Sequence, residues 1–157
     1  MPSLKLILNC LASGVTVFGA ALPEPTAAIP ATACTTGRPM TTAGYPMRYY
    51  AQATPSSDDL VNGYKPEPRW ASQHLVGSYT FGVPEPVETG FAYAQFKCQY
   101  YCQNHSEGGS FFVRADSKVG SYCDCYDELM DPEIFVSNNQ TLVGAWNAIC
   151  KVGTRLN

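Results

Sequence analysis

The chain has 157 residues, of which 15% are charged and 45% hydrophobic, and its 13 glycines and 12 prolines indicate a loop-rich globular protein rather than a disordered one. This length is too short for a multidomain enzyme. The formal net charge of -3 disfavours a nucleic-acid partner, because contact with phosphates needs a basic surface.

The N-terminal segment 1–21 has the pattern of a secretory signal peptide. Lys5 precedes an apolar stretch, and small residues at 19–21 suit a cleavage site. A membrane-spanning helix is disfavoured because the stretch is short and interrupted by polar residues. We therefore expect a secreted, extracellular protein without a membrane span after signal removal, with a flexible Pro/Ala/Thr-rich N-terminus at 22–33 and a single disulfide-stabilised domain at 34–157.

The region 44–90 combines aromatic residues with proline, glycine and serine, which predicts short strands and turns. Segment 75–81 is the most strand-like piece, and 52–59 is expected to be an exposed loop. Flat rings give a large contact area at low entropy cost, so the aromatic residues are candidates for a protein- or sugar-binding surface, although core packing explains them equally well. These candidates are Tyr45, Tyr49, Tyr50, Tyr64 and Trp70.

A helix followed by a hairpin is predicted next. Apolar residues recur at steps of three and four, with Thr89 as the expected N-cap and the helix end near Asn104. Two strands follow at 110–113 and 121–126, joined by a polar turn. Segment 142–150 suits a helix or a buried terminal strand equally well. The residues predicted to share one helix face are Phe91, Ala94, Cys98, Tyr101 and Cys102.

The cysteine count predicts three disulfides. Cys10 leaves with the signal peptide, and the remaining six cysteines are an even number in a secreted chain. Four of them fall on the predicted helix and hairpin and are expected to pair with one another. The two that remain, Cys34 and Cys150, are then expected to form the third bridge.

The four central cysteines are spaced to form a ladder. Cys98 and Cys102 lie one above the other on a helix, while Cys123 and Cys125 point to the same face of a strand. Two disulfides therefore join the helix to the second hairpin strand. Their order, Cys98 with Cys125 and Cys102 with Cys123 or the crossed alternative, depends on strand direction and stays open. A zinc site with the same four thiols is disfavoured because secretion oxidises cysteines.

Three segments resemble the core of PAN/Apple-like modules, particularly those of small secreted fungal proteins: Cys98-Gln99-Tyr100-Tyr101-Cys102, Ser110-Phe111-Phe112-Val113 and Tyr122-Cys123-Asp124-Cys125-Tyr126-Asp127. The resemblance covers about 77–150. It implies an α+β fold in which one helix is disulfide-bonded to a small antiparallel sheet. It also implies a non-catalytic module, without a cofactor, that binds an extracellular protein or polysaccharide, as in a fungal effector or cell-surface protein.

Two other functions are weighed against binding. A small cofactor-free enzyme acting on carbohydrate would use the acidic residues of 124–133, but their spacing is not diagnostic and a solvated acidic turn explains them better. His74 and His105 lie far apart in the sequence, and no Gly-x-Ser-x-Gly motif accompanies them. A structural cell-wall protein is the third reading. The acidic residues in question are Asp124, Asp127, Glu128, Asp131 and Glu133.

Two N-glycosylation sequons begin at Asn104 and Asn139. Secretion would make both eligible for a glycan. Asn139, in a polar turn, is the better candidate, because Asn104 lies two residues from Cys102 and early disulfide closure would hinder it.

Overall fold

The computed structural model describes residues 34–57, 60, 62–82, 86–104, 109–116, 120–140 and 142–150. The predicted signal peptide 1–21 and the segment 22–33 lie outside these residues. Two helices and nine strands fall within them: β1 (Met40–Thr42), β2 (Tyr45–Met47), β3 (Tyr50–Ala53), β4 (Tyr64–Pro66), α1 (Pro68–His74), β5 (Leu75–Phe81), α2 (Val87–Gln103), β6 (Ser110–Asp116), β7 (Gly120–Tyr126), β8 (Phe135–Ser137) and β9 (Val143–Ala148).

A five-stranded antiparallel sheet in the order β3-β9-β6-β7-β5 organises these elements. β1 with β2 and β4 with β8 form two separate two-stranded ribbons, also antiparallel. The predicted α+β class and antiparallel sheet are confirmed. We call the side of the large sheet that α2 covers the near face and the opposite side the far face.

β9 settles the ambiguous segment 142–150 as a strand in the interior of the sheet. It pairs with β3 on one side and β6 on the other, so its backbone groups are satisfied from both edges. Trp146 on this strand is 1% exposed, and its indole N–H donates to Gln95 Oε1 at 3.0 Å. A helix at this place would leave β3 and β6 without the strand that joins them.

α2 packs one face on the sheet. Ala94, Cys98 and Cys102 are fully buried against near-face residues such as Phe111 and Val113. This agrees with the periodicity in the sequence. At 17 residues α2 is still too short, and its composition too polar, to cross a membrane, and the same holds for every helix in the described ranges.

The start of α2 differs from expectation. The helix begins at Val87 with Pro86 as its N-cap, and Thr89 lies inside the first turn. The carbonyl of Pro86 accepts the backbone N–H groups of Thr89 and Gly90 at 3.1 and 3.0 Å. The N-cap prediction at Thr89 was therefore wrong, because a proline carbonyl begins the ladder without a side-chain cap.

Three disulfides tie these elements together. Cys34 bonds Cys150, Cys98 bonds Cys123 and Cys102 bonds Cys125. Of the two orders left open for the ladder, the structure has the crossed one. The first cysteine of the helix bonds the first cysteine of the strand and the second bonds the second, because α2 and β7 run in the same direction across the near face.

The bridges contribute stability by restricting the unfolded chain. The Cys34–Cys150 bridge closes a separation of 116 residues, for which the chain-entropy relation gives about 4.8 kcal/mol. The Cys98–Cys123 bridge closes 25 residues, for which the same relation gives about 3.5 kcal/mol. Contributions of this size allow a protein with a small hydrophobic core to be stably folded.

The far face is covered by α1 and the β4–β8 ribbon. Phe112, Tyr126 and Phe135 form a second buried cluster there, with Trp70 packed on its edge. Only one helix was predicted from the sequence, and α1 is an additional one. This helix has seven residues between extended segments, too few to show a period, and it is fixed by the backbone N–H of Trp70 donating to Glu67 at 2.8 Å.

The predicted exposed loop 52–59 was partly wrong. Gln52 and Ala53 belong to β3 and pair with Trp146 and Ala145 of β9. Ala53 is buried, although Gln52 is exposed. Alanine has a low strand propensity and glutamine is not among the strand-favouring residues, so only the pairing with β9 reveals this strand.

Candidate functional site: an aromatic surface

α2 carries rings on the side turned away from the sheet. Tyr93, Phe96 and Tyr100 recur at steps of three and four, on the side opposite the buried Cys98 and Cys102. The Phe96 and Tyr100 rings meet at 5.1 Å between centroids. Tyr100 is 38% exposed, and the other two are half-buried. When a helix has an apolar stripe on each of two sides, the second stripe is either covered by another part of the protein or exposed for a partner to bind.

Two tyrosines from the N-terminal region complete this layer. The ring of Tyr45 lies 5.7 Å from that of Tyr93 and 5.4 Å from that of Phe96. The ring of Tyr49 lies 6.0 Å from that of Tyr100. We call these five residues, Tyr45, Tyr49, Tyr93, Phe96 and Tyr100, the aromatic surface.

Gln99 positions the two tyrosines against α2. Its side chain is fully buried, its Nε2 donates to the carbonyl oxygen of Pro46 at 2.7 Å, and its Oε1 accepts the backbone N–H of Arg48 at 3.1 Å. These two bonds hold the chain between Tyr45 and Tyr49 in one place on the helix. The tyrosine rings on either side are thereby set beside the rings of α2.

A second group of rings lies next to the aromatic surface on β5. Tyr79 stacks on Tyr101 with 4.5 Å between centroids, and Phe81 lies 5.5 Å from Tyr79. The ammonium group of Lys97 lies between the two groups, 5.2 Å from the Phe81 ring and 5.7 Å from the Tyr93 ring. The cation is held over ring faces, an attraction that strengthens when water is excluded.

The charged side chains described around the aromatic surface are cationic. The segments 45–53, 75–81 and 89–103 contain no aspartate or glutamate, and they carry Arg48 and Lys97. The carboxylates with described side chains lie elsewhere, at Glu67, at Asp124 on the far face, and along 127–133. A partner that covers the rings therefore meets a cationic rim.

Comparisons with known proteins give no further assignment. No family model, curated protein or solved structure matches this chain.

The four tyrosines and one tryptophan predicted as binding residues do not form one surface. Tyr45 and Tyr49 lie on the aromatic surface. Tyr50 is 1% exposed and packs on Phe111 in the near-face core, where burial raises its pKa to about 12. Tyr64 and Trp70 lie on the far side, packed in the second cluster. Burial raises the pKa of Tyr64 as well.

The acidic residues of 124–133 are dispersed rather than paired across a cleft. Asp124 accepts a hydrogen bond from the hydroxyl of Ser78. Asp127 and Glu128 lie on either side of His74, with carboxylate oxygens 2.9 Å from Nδ1 and 3.0 Å from Nε2. The imidazole therefore joins the end of α1 to the segment after β7. Asp131 and Glu133 are exposed, and His105 lies outside the described residues.

Three ladder cysteines form a group of potential metal ligands in the described ranges. The sulfur atoms of Cys98, Cys102 and Cys123 all lie within 4.8 Å of one another. This proximity follows from two adjacent disulfides, Cys98–Cys123 and Cys102–Cys125. A bridged sulfur is not a thiolate, so the group does not offer the ligands that zinc requires.

Both sequon asparagines are exposed. Asn104 is the C-cap of α2, and Asn139 follows β8 in a turn where its backbone N–H donates to Asn138 Oδ1 at 3.0 Å. Their side chains are therefore accessible at the surface. Glycosylation of Asn104 and Asn139 stays a prediction.

The helical part of the aromatic surface has a signal in the sequence that was not among the predictions. Tyr93, Phe96 and Tyr100 already lie at helical spacing, offset by half a turn from the stripe that carries the cysteines. The contributions of Tyr45 and Tyr49 were not readable in this way, because Gln99 brings them to the helix from about 50 positions earlier in the chain.

Proposed function

We propose that this protein is a secreted, disulfide-stabilised, non-catalytic module that binds an extracellular protein through the aromatic surface. The observation that carries the proposal is the contiguous layer of five rings on α2 and the β2–β3 region, continued across Lys97 to the rings of β5. Tyrosine-rich patches concentrate binding energy at protein interfaces. The signal-like segment 1–21 and the three disulfides support an oxidising, extracellular setting.

A protein partner suits the geometry better than a polysaccharide. The rings of Phe96 and Tyr100 meet at 74° and those of Tyr49 and Tyr100 at 82°. Neighbouring rings thus present edges and faces in turn, rather than one flat platform on which successive sugars stack. Apolar side chains of a protein fill such an uneven surface, and acidic residues on the partner would complement Lys97 and Arg48.

The resemblance to PAN/Apple-like modules is consistent with this role and adds the proposal that the protein acts as a fungal extracellular effector or cell-surface protein. In that setting, an N-linked glycan at Asn139, which follows β8 of the ribbon on the far face, would lie away from the five rings and should leave binding unhindered. Asn104 lies one turn after Tyr100 on the same side of α2, so a glycan there would border the aromatic surface and should weaken binding.

Photo-crosslinking tests the proposal. A photoreactive phenylalanine analogue at position 100 is compared with the same analogue at position 75, an exposed leucine outside the aromatic surface. The purified oxidised protein is incubated with extracellular proteins of its source organism. Each crosslinked protein is then purified separately and its affinity is measured. We expect one saturable partner crosslinked from position 100 and not from position 75.

Two variants decide whether the surface is responsible. Tyr100→Ala and Lys97→Glu should each weaken binding of the purified partner at least tenfold, whereas Leu75→Ala should leave the affinity unchanged. Equal affinity of all variants would refute the aromatic surface as the binding site. Retention on insoluble glucan or chitin with no protein partner would favour a polysaccharide ligand, and release of reducing sugar would favour an enzyme.

A further inference from the structure

A cleft of about 240 Å³ opens on the far face, between the large sheet and the elements that cover it. The apolar residues that line it are Pro66 of β4, Pro68 and Ala71 of α1, and Phe112 of β6. The polar side chains that line the cleft are Lys65, Arg114, Asp124, Tyr126, Asn138 and Gln140. We call it the Arg114 cleft.

The Arg114 guanidinium packs on a ring, and no described carboxylate forms an ion pair with it. It lies across from Tyr122 on the neighbouring strand, and its guanidinium carbon is 4.3 Å from the centre of the Tyr122 ring. Its Nε is buried and has no hydrogen-bond partner. Both ion pairs among the described residues belong to His74, so neither Arg114 nor Lys65 has a described carboxylate within 4.0 Å.

An unpaired, partly buried guanidinium lowers its free energy by binding an anion. Desolvation without a partner costs free energy, and a planar guanidinium fixed by stacking is oriented in advance for a planar carboxylate. Lys65 adds a second positive charge on the rim of the cleft. Asn138 Nδ2 donates to Gln140 Oε1 at 3.2 Å and Asn138 Oδ1 accepts the Asn139 backbone N–H at 3.0 Å, so the Gln140 amide nitrogen is the group of this pair that can donate to a ligand.

Asp124 limits which anions fit. Its carboxylate accepts from Ser78 but keeps further lone pairs, so it accepts hydroxyl groups from a ligand and repels a second negative charge. Burial, together with the nearby charge of Asp124, raises the pKa of Tyr126, so its hydroxyl stays protonated at neutral pH. The cleft thus offers two cations to one carboxylate and several partners for hydroxyl groups.

We propose that the Arg114 cleft binds a small hydroxylated monocarboxylate, the carboxylate pairing with Arg114 and Lys65 and a hydroxyl donating to Asp124. The volume lies below the roughly 300–1,000 Å³ typical of sites for drug-sized ligands, which suits a ligand of one sugar residue. Two sources share this chemistry: a uronic acid residue of an acidic polysaccharide, and a free open-chain hydroxy acid. The site lies across the sheet from the aromatic surface and is separate from the proposed function.

Calorimetric and NMR titration of the purified oxidised protein tests the proposal with three probes. D-galacturonate represents the uronic acid, D-gluconate the open-chain acid and D-galactose the neutral sugar. We expect saturable binding of at least one of the two acids, weakened at higher salt, and binding of galactose at least tenfold weaker. A preference for galacturonate assigns the polysaccharide source, and a preference for gluconate assigns the free acid.

Matched variants locate the binding in the cleft. Arg114→Gln should weaken binding of the preferred acid at least tenfold, and Lys65→Gln should weaken it severalfold. Arg38→Gln, a matched change at an exposed arginine outside the cleft, should leave it unchanged. If Arg114→Gln does not fold, the acid affinities of Lys65→Gln and Arg38→Gln are compared instead, and only the Lys65→Gln variant should bind more weakly. Equal binding of galactose and galacturonate, no saturable binding of either acid, or unchanged binding by the folded cleft variants would overturn the proposal. Tyr100→Ala should leave acid binding intact, so failure of one site is distinguishable from failure of the other.

Discussion

Replacing Gln99 with methionine should destabilise the protein by more than its modest change in shape suggests. Methionine has a similar length and is apolar, so it fills the buried site without a large cavity. It removes the bonds to the carbonyl of Pro46 and to the backbone N–H of Arg48 and leaves both backbone groups without their partner. At roughly 1–2 kcal/mol for each, the free energy of unfolding should fall by about 2–4 kcal/mol.

Urea denaturation followed by tryptophan fluorescence, without reductant, measures this loss. For a slope of about 2 kcal/mol per molar urea, the midpoint should fall by about 1–2 M. Gln103→Met is the matched control, because Gln103 is exposed at the end of the same helix and should change the free energy by less than about 0.5 kcal/mol. Equal midpoints for the two variants would refute the inference that Gln99 fixes the chain between Tyr45 and Tyr49.

Two further predictions concern the core and a turn. Burial raises the pKa of Tyr50 to about 12, so the free energy of unfolding of the wild type should decline as the pH rises from 10 toward 12. The free energy of unfolding of Tyr50→Phe should decline less over the same range, as measured by parallel urea titrations. Identical pH profiles for the two proteins would contradict the pKa shift. Gly120→Ala should lower the free energy of unfolding by about 1–3 kcal/mol, since φ is +100° and a Cβ would lie 2.7 Å from the Phe81 carbonyl oxygen. Gly82→Ala, with open space around the added methyl group, is the control, and equal thermal stability of these two variants would disprove the turn constraint.

The aromatic surface, which we propose as the binding site, was only partly predictable from the sequence. Composition drew attention to tyrosine, and two of the five proposed residues, Tyr45 and Tyr49, lie on the aromatic surface. Tyr50 is adjacent in the chain but points into the core, because its partner on β9 is Ala148, on the side that faces α2. Alternation along a strand places neighbours on opposite faces, and which face is buried depends on what covers the sheet.

Local spacing alone determined the helix at 91–102, the strands at 75–81, 110–113 and 121–126, and the matching of two cysteines on a helix with two on a strand. These features follow from periods of 3.6 and 2 residues, which a short window of sequence contains. Long-range packing decided the rest. The direction of α2 along β7 set the order of the ladder, and pairing with β3 and β6 made 142–150 an interior strand. The covering of the far face placed Lys65 and Arg114 in the lining of one cleft. Contacts between distant segments depend on how the elements pack, and no local pattern encodes that arrangement.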